Sequence, residues 1–478
     1  MPFLNRLEHW AQTAPDRPAV VIGEASLSYA ELAGAVRAQH RAGSALTILQ
    51  QRNSVDFVVR FATAVAGSGR VAVLDPDWPA EISDAVRSRL AELPVPPAPE
   101  PPGPLPGGAA PAGLQDGPGA SEFLIGLTSG TSGTPKGFSR NRASWQLSFE
   151  ASVEFFGLSE AEPVLVPGPL SSSLNLYALA ECLYAGATFY GQPEFDLAEA
   201  LGLVERQQIQ RLVLVPTMLA MLARRAAEPE RAGTVRTVLC AGSALEPAIA
   251  DAARRWLPDA VIFEYLGASE LGFIAAGRLE SPAGREDTAV GPAFPGVEIS
   301  IRDRAGAELP AWLPGSIFVR SRLISDGYLW GQDGEGFQQD GQWSTVGDQG
   351  FLSGNGVLHF LGRRSDMINS AGHNVYPHEI EHALSGLPGV QSAVAVGIPD
   401  GVRGQRIVAG VVPADRFSSS ALTGRVLRQG IAGVLAEYKI PGLFFELREL
   451  PLGSSGKLNR AQFAEWIARG DQRVRRIG

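Results

Sequence analysis

The 478-residue chain reads as an α/β protein. The sequence predicts a large N-terminal domain of layered, mostly parallel sheets with a β-rich subdomain, then a small α+β C-terminal domain. Three observations predict this. Short β-rich apolar runs alternate with helix-period segments through most of the first 350 residues, the pattern of strands joined by crossover helices. From about residue 290 the text becomes β-rich with glycine and proline punctuation. After Arg364 a new succession of helix, strands and helices fills about 110 residues, enough to fold as a unit. Length agrees, because one core stops growing well short of this chain. The expected boundaries are 1–362 for the large domain, with 290–362 as its β-rich part, 363–366 for the joining segment, a hinge by the resemblance given below, and 367–478 for the small domain.

The elements follow in order. The first thirteen residues are amphipathic and have neither a basic nor an apolar leader region, so no secretory signal is expected. Strands are expected at 19–22, 46–49, 71–74, 123–127, 164–166, 212–215, 235–239 and 261–263. Helix-period segments lie at 55–65, 174–184, 197–208, 218–225 and 248–256. Residues 94–118 hold ten prolines and no periodic apolar face, which predicts an extended, mobile surface loop. Further strands are expected at 299–301, 316–319 and 358–361. Pro377 opens a helix that ends before Gly386, with Ile380 and Leu384 on one face. Strands at 390–396 and 407–412, a helix near 422–436, a strand at 443–447 and a helix at 461–467 complete the small domain.

Bulk properties exclude several classes. Hydrophobic content of 45% and charged content of 19% describe a soluble globular protein. A net charge of −9 without a basic block argues against a nucleic-acid surface, and Arg473, Arg475 and Arg476 read as a solvated tail. No apolar run reaches the ~18 residues a membrane helix needs, so the expected compartment is the cytoplasm. Cys182 and Cys240 sit in apolar stretches as buried thiols and cannot form a disulfide framework.

One run carries the most chemistry: Leu127-Thr128-Ser129-Gly130-Thr131-Ser132-Gly133-Thr134-Pro135-Lys136-Gly137. It follows an apolar strand, and its hydroxyls, backbone N–H groups and single lysine suit a polyphosphate. It is not a Walker A loop, because Pro135 precedes the lysine and Gly137 replaces the Ser/Thr that would bind magnesium. Four other clusters accompany it. Tyr265-Leu266-Gly267-Ala268-Ser269-Glu270 puts a hydroxyl and a carboxylate at the C-terminal end of a strand, where α/β sheets bind ligands. Trp343-Ser344-Thr345-Val346-Gly347-Asp348 offers one acid on a tight turn. Gly362-Arg363-Arg364-Ser365-Asp366 lies where the two domains meet. Leu450-Pro451-Leu452-Gly453-Ser454-Ser455-Gly456-Lys457 presents a lysine on a glycine-rich loop. Taken singly, the acidic turn, the arginine pair and the last lysine read as solvated charges.

In this order and spacing the five motifs closely resemble the adenylate-forming superfamily of acyl-CoA synthetases, peptide-synthetase adenylation domains and firefly-type luciferases. The resemblance covers nearly the whole chain. It implies that Thr128, Ser129, Gly130, Thr131, Ser132, Gly133 and Lys136 hold the β- and γ-phosphates of ATP. It implies that Glu270 binds Mg2+, with Ser269 beside the α-phosphate. Gly242, Ser243 and Ala244 would face the adenine and Tyr265 would stack on it, with Leu266 and Gly267 alongside. Asp348 would accept from the ribose hydroxyls, helped by Arg363. Lys457 would reach in from the small domain to the carboxylate and the α-phosphate. The small domain would rotate about the hinge at Ser365, exchanging Lys457 for a thiol tunnel around Ala371, Gly372 and His373. The implied reaction makes an acyl-adenylate and pyrophosphate, then transfers the acyl group to coenzyme A with release of AMP.

The chain departs from that pattern in three places. Ser365 stands where relatives often carry aspartate or lysine. The stretch from Pro169 to Asn175 lacks the aspartate that pairs an α-ammonium, so an ordinary amino acid is not the expected substrate. The chain is also short, compressed between residues 41 and 78. An acyl pocket is expected among Leu174, Tyr177, Ala178, Ala268 and Leu271, floored by the strand end at 238–242. Those side chains suit an aliphatic or aryl acid. About twenty residues follow Lys457, so no fused carrier domain is expected. The acceptor is then free coenzyme A or, as the alternative, a stand-alone acyl carrier protein. A monomer or homodimer is expected. A non-catalytic nucleotide- or acyl-binding member is the remaining alternative, disfavoured by Lys136, Glu270, Asp348, Arg363 and Lys457 occurring together.

Overall fold

The computed structural model describes residues 3–40, 46–94, 114–128, 134–226, 233–279, 288–332, 336–414, 422–453 and 458–477. Four sheets organise them. The largest has eight strands, six of them parallel and flanked by antiparallel edges at Ala25–Ser28 and Gly272–Arg278. Its parallel strands are apolar on both faces because helices cover both sides. A five-stranded sheet begins with the parallel strands Leu46–Leu49, Arg70–Val73 and Glu122–Thr128 and ends in antiparallel ones. The third sheet, seven strands within 289–363, is antiparallel. The fourth collects the strands from Ile368 onward over its own core of Ile380, Leu384, Val394 and Ala409. No helix among the described residues is long and apolar enough to cross a membrane.

Eleven elements position the site. They are β1 (Glu122–Thr128), β2 (Lys136–Asn141), α1 (Arg142–Phe156), α2 (Ser173–Ala185), β3 (Thr237–Ala241), β4 (Val261–Ala268), β5 (Gly272–Arg278), β6 (Gly327–Trp330), β7 (Asp348–Leu352), β8 (Leu358–Arg363) and α3 (Pro377–Ser385). Local chemistry accounts for the helix ends. Asn141 caps α1 through the Ser144 amide, and Gly157 closes it with φ +65°. Gly186 ends α2 in the same left-handed conformation. Pro377 occupies the first turn of α3, where its missing N–H costs nothing.

The structure corrects several expectations. Of the proline-rich segment, residues 114–118 are described, and they are docked rather than mobile. Leu114 is buried, and the Asp116 carboxylate accepts from the Leu4 and Asn5 amides at the start of the first helix. The strand expected at 235–239 is β3, shifted two residues onward, because its partners on both sides align from Thr237. The helix near 422–436 is shorter, Gly424–Ile431, in a stretch carrying two weak helix formers, Gly430 and Gly433. Arg475 and Arg476 lie in an edge strand, Val474–Arg476, instead of a tail; Arg475 pairs with Glu446, and Arg473 just before the strand pairs with Asp471. Cys182 and Cys240 are buried and are not joined in a disulfide.

Candidate active site

Strand pairing anchors the glycine loop at both ends, because Thr128 and Lys136 face each other across the β1–β2 hairpin. Ser129, Gly130, Thr131, Ser132 and Gly133 lie outside the described residues. Two glycines let the hairpin pack. A Cβ on Gly126 would stand 2.0 Å from the Phe138 ring, and one on Gly137 2.3 Å from the Trp330 ring. From β6, Trp330 also donates through Nε1 to the Pro135 carbonyl at 2.9 Å. Lys136 is buried, its Nζ 5.6 Å from the centre of the Tyr328 ring.

Glu270 sits in the turn between β4 and β5. A register shift at Leu266/Gly267 precedes it and Gly272, at φ +74°, follows. Irregularities of this kind re-aim side chains at strand ends. The carboxylate is buried, and its Oε1 accepts from Thr128 Oγ1 at 3.2 Å and from the Tyr328 hydroxyl at 2.8 Å. Burial, then the negative charge of Glu270, keeps the Tyr328 phenol protonated. Behind the turn, buried Arg140 donates to the carbonyls of Ser269 and Leu323, both at 2.6 Å. Burial lowers its pKa to about 10, and Glu270 is the first of the charges that oppose the fall.

Asp348 and Arg363 face each other across β7 and β8, and Arg363 Nε donates to Asp348 Oδ1 at 3.2 Å. The acid is 3% exposed while half of the arginine side chain reaches solvent. Burial raises the Asp348 pKa against the opposing pull of Arg363, and the charge of Glu270 adds to the rise. Glu270 also acts on Arg363, so all three share one electrostatic field. Beside them, β3 and β4 run parallel with Ala241 opposite Tyr265. The segment Gly242-Ser243-Ala244 therefore emerges next to Tyr265, Leu266 and Gly267 at the C-terminal edge of the sheet. Buried Glu264 fixes that segment by accepting from the Leu245 amide at 2.8 Å.

The Thr128 hydroxyl thus meets the buried Glu270 carboxylate, and the charge of that carboxylate reaches the acid–guanidinium pair. The family model described as AMP-binding enzyme matches residues 103–329, and the model for its C-terminal domain matches 379–457. The chain belongs to the AMP-binding enzymes of the adenylate-forming superfamily. It is 30% identical over 490 residues to the uncharacterized acyl-CoA ligase YhfT of Bacillus subtilis, covering 98% of both chains. It is 32% identical over 361 residues to the indoleacetate-CoA ligase of Aromatoleum aromaticum, covering 74% of this chain and 69% of that one. A Staphylococcus haemolyticus relative named for long-chain fatty acids is 32% identical over 338 residues, 70% of this chain and 68% of its own. The fold matches that of o-succinylbenzoate-CoA synthetase from Bacillus subtilis bound to its acyl-adenylate, with TM-score 0.79, 23% identity and coverage of 96% and 98%.

The remaining candidate residues of this AMP-binding enzyme fall into two groups. Around the expected acyl pocket, Leu174, Tyr177 and Ala268 are half-buried, whereas Ala178 and Leu271 are buried in the main core. The Tyr265 ring packs on Phe273 with centroids 4.7 Å apart. In the small lobe, Ala371 and Gly372 have φ of +52° and +82° and make the two-residue turn of a hairpin, Ile368–Ser370 against His373–Val375. The turn is exposed, and His373 stacks on Tyr438 at 4.3 Å. Ser365 lies in an exposed 3-10 turn whose Asp366 accepts from Arg460 at 3.1 Å. Lys457 lies outside the described residues.

Sequence reasoning missed Tyr328, Trp330, Arg140 and Ser173, which this geometry brings to the site. Tyr328 and Trp330 follow Gly327 two residues apart, an aromatic pair that could have drawn attention, but a register shift between them sends the rings into different packing clusters. The Ser173 Oγ accepts from the Ser269 Oγ at 2.9 Å, a contact across 96 residues that no local pattern announces.

Proposed function

We propose that the chain is an AMP-forming acid–thiol ligase, converting a carboxylic acid to its acyl-adenylate and then to a coenzyme A thioester. The reading is supported by the hydrogen bonds that join Thr128 and Tyr328 to Glu270 and by the bearing of the Glu270 charge on the Asp348–Arg363 pair. In the first step a carboxylate oxygen attacks the α-phosphorus of ATP, and the bond to the β-phosphate bridging oxygen breaks to release pyrophosphate. Residues 129–133 and Lys136 would hold the β- and γ-phosphates, their composition offering N–H groups, hydroxyls and one cation. Asp348, held by Arg363, accepts from the ribose hydroxyls, and Tyr265 lies against the base beside residues 242–244. Glu270, with Thr128 beside it, would hold magnesium, since a carboxylate is an oxygen donor of the kind this ion takes. When bound, the metal neutralises polyphosphate charge. Lys457 brings an ammonium to the carboxylate and α-phosphate. The thiol of coenzyme A then attacks the acyl carbon, AMP departs, and the turn at Ala371-Gly372-His373 guides the thiol after rotation about Ser365.

The test is acid-dependent pyrophosphate release over a panel of aliphatic, aryl and amino acids with ATP and magnesium. Lys457→Ala should lower it by about 10²- to 10³-fold, the scale of losing one preorganised donor. Equal release from wild type and variant across the panel would sink the assignment. Following thioester formation on coenzyme A beside candidate carrier proteins identifies the acceptor.

A further inference from the structure

Ser173, Tyr177 and Glu181 follow one another at four-residue spacing on α2, so they descend one face of the helix. Ser173 marks the mouth, through its hydrogen bond to Ser269 next to Glu270. One turn deeper, the Tyr177 ring keeps some accessible surface while its hydroxyl is sunk between Ser148 Oγ at 2.8 Å and Ser152 Oγ at 3.0 Å. Those serines lie one turn apart on α1 and are 4% and 0% exposed. Ser152 donates onward to the buried carboxylate of Glu181. The chain can therefore run in one direction, Ser148 to Tyr177 to Ser152 to Glu181, with Tyr177 and Ser152 each giving one proton and accepting one. Trp145, Phe149 and Phe273 hold the ring from three sides, with centroids at 5.3, 4.9 and 5.4 Å. Three polar side chains buried in an aromatic core are costly unless satisfied, and the phenol takes part in satisfying them.

We propose that Tyr177 is the specificity-determining end wall of the acyl pocket, locked by Ser148, Ser152 and Glu181, and that it confines the substrate to aryl or short acyl acids. The proposal rests on the acid-activating function above. From Ser173 to Tyr177 the helix rises about 6 Å, room for one aromatic ring or a few carbons but not for a long extended chain. The aromatic surround favours a planar partner, which packs edge-on or offset against such rings.

The experiment measures kcat/KM for pyrophosphate release by the full chain on arylacetic and benzoic acids and on linear acids from four to fourteen carbons. The same acids are tested for thermal-shift binding. Wild type should favour the aryl and short acids over the longest by about 10²-fold. Tyr177→Ala should move the optimum toward long linear acids. Tyr177→Phe and Ser152→Ala keep the ring but loosen it, and should raise the long-to-short ratio several-fold. They also decide the matter if Tyr177→Ala does not fold. A purely structural role would lower all acids together and leave the ratio unchanged, which overturns the proposal, as does a wild type that prefers long chains. If no acid releases pyrophosphate, the ligase function falls, and the thermal-shift length profiles of wild type and variants still decide the wall.

Discussion

Glu270 takes two hydroxyl donors on one oxygen, one from β1 and one from β6, so three separate segments agree on where its charge sits. A hydrogen bond to a charged group contributes about 1.5–3 kcal/mol net. Tyr328→Phe should therefore raise the magnesium–ATP requirement about tenfold or more while leaving the fold intact, as read by nucleotide binding at varied magnesium. An unchanged magnesium dependence would show that Thr128 alone orients the acid. At this scale the sequence was legible where residues are neighbours in the chain: the hydroxyls and lysine of the glycine loop, and Glu270 after its strand. Tyr328 and Arg140 escaped because their meaning comes from partners 58 and 129 residues away.

The hairpin of β1 and β2 shows what an element demands of its residues. Gly137 accepts the Trp330 ring against its backbone, so Gly137→Ala forces a clash in a packed region, which costs about 1–3 kcal/mol. A fall in melting temperature of several degrees, with weaker ATP binding, is the expected readout. The α1–α2 pair carries a different signature. Burial pushes Glu181 up to about 7 from an ordinary 4.5. Below pH 4.5 both folded and unfolded chains hold the proton, and its stabilising effect is fully present. As pH rises through 7 the folded state must ionise a buried acid, and on the order of 3 kcal/mol is lost. Glu181→Gln cannot ionise, so its stability should fall less than that of wild type between pH 5 and 8. Burial raises Glu246 to a similar value, which contributes to both proteins and leaves their difference intact. Many helix and strand positions were legible because apolar periodicity reports which face is covered, but the helices Tyr29–Gln39, Ala80–Ala91 and Arg142–Phe156 were not among those expected. Their ends shifted where pairing partners or glycines decided the last residues, as at β3 and at Gly424–Ile431.

On the scale of the whole molecule, polar contacts join the small domain to the large lobe, among them Arg224 donating to the Gln391 carbonyl at 3.0 Å and the Ser385 side chain against Glu246. Between them Ser365 stands exposed in a single turn of 3-10 helix. If the small lobe alternates between two positions, stiffening that turn separates the half-reactions. Ser365→Pro fixes φ and removes a donor. Thioester formation should then drop about tenfold or more while pyrophosphate release stays within about twofold. Parallel loss of both steps would instead point to a folding defect, which circular dichroism would register.

The sequence by itself determined the layered α/β architecture and the adenylate-forming motifs, because hydrophobic period, turn residues and phosphate-binding loops are local properties of consecutive residues. Only the tertiary structure decided that Thr128, Tyr328 and Glu270 converge, that Arg363 answers Asp348, and that Tyr177 is anchored from a neighbouring helix. Those are contacts between surfaces brought together by sheet order and helix packing, and a linear pattern does not encode which hydroxyl will end up within 3 Å of which carboxylate.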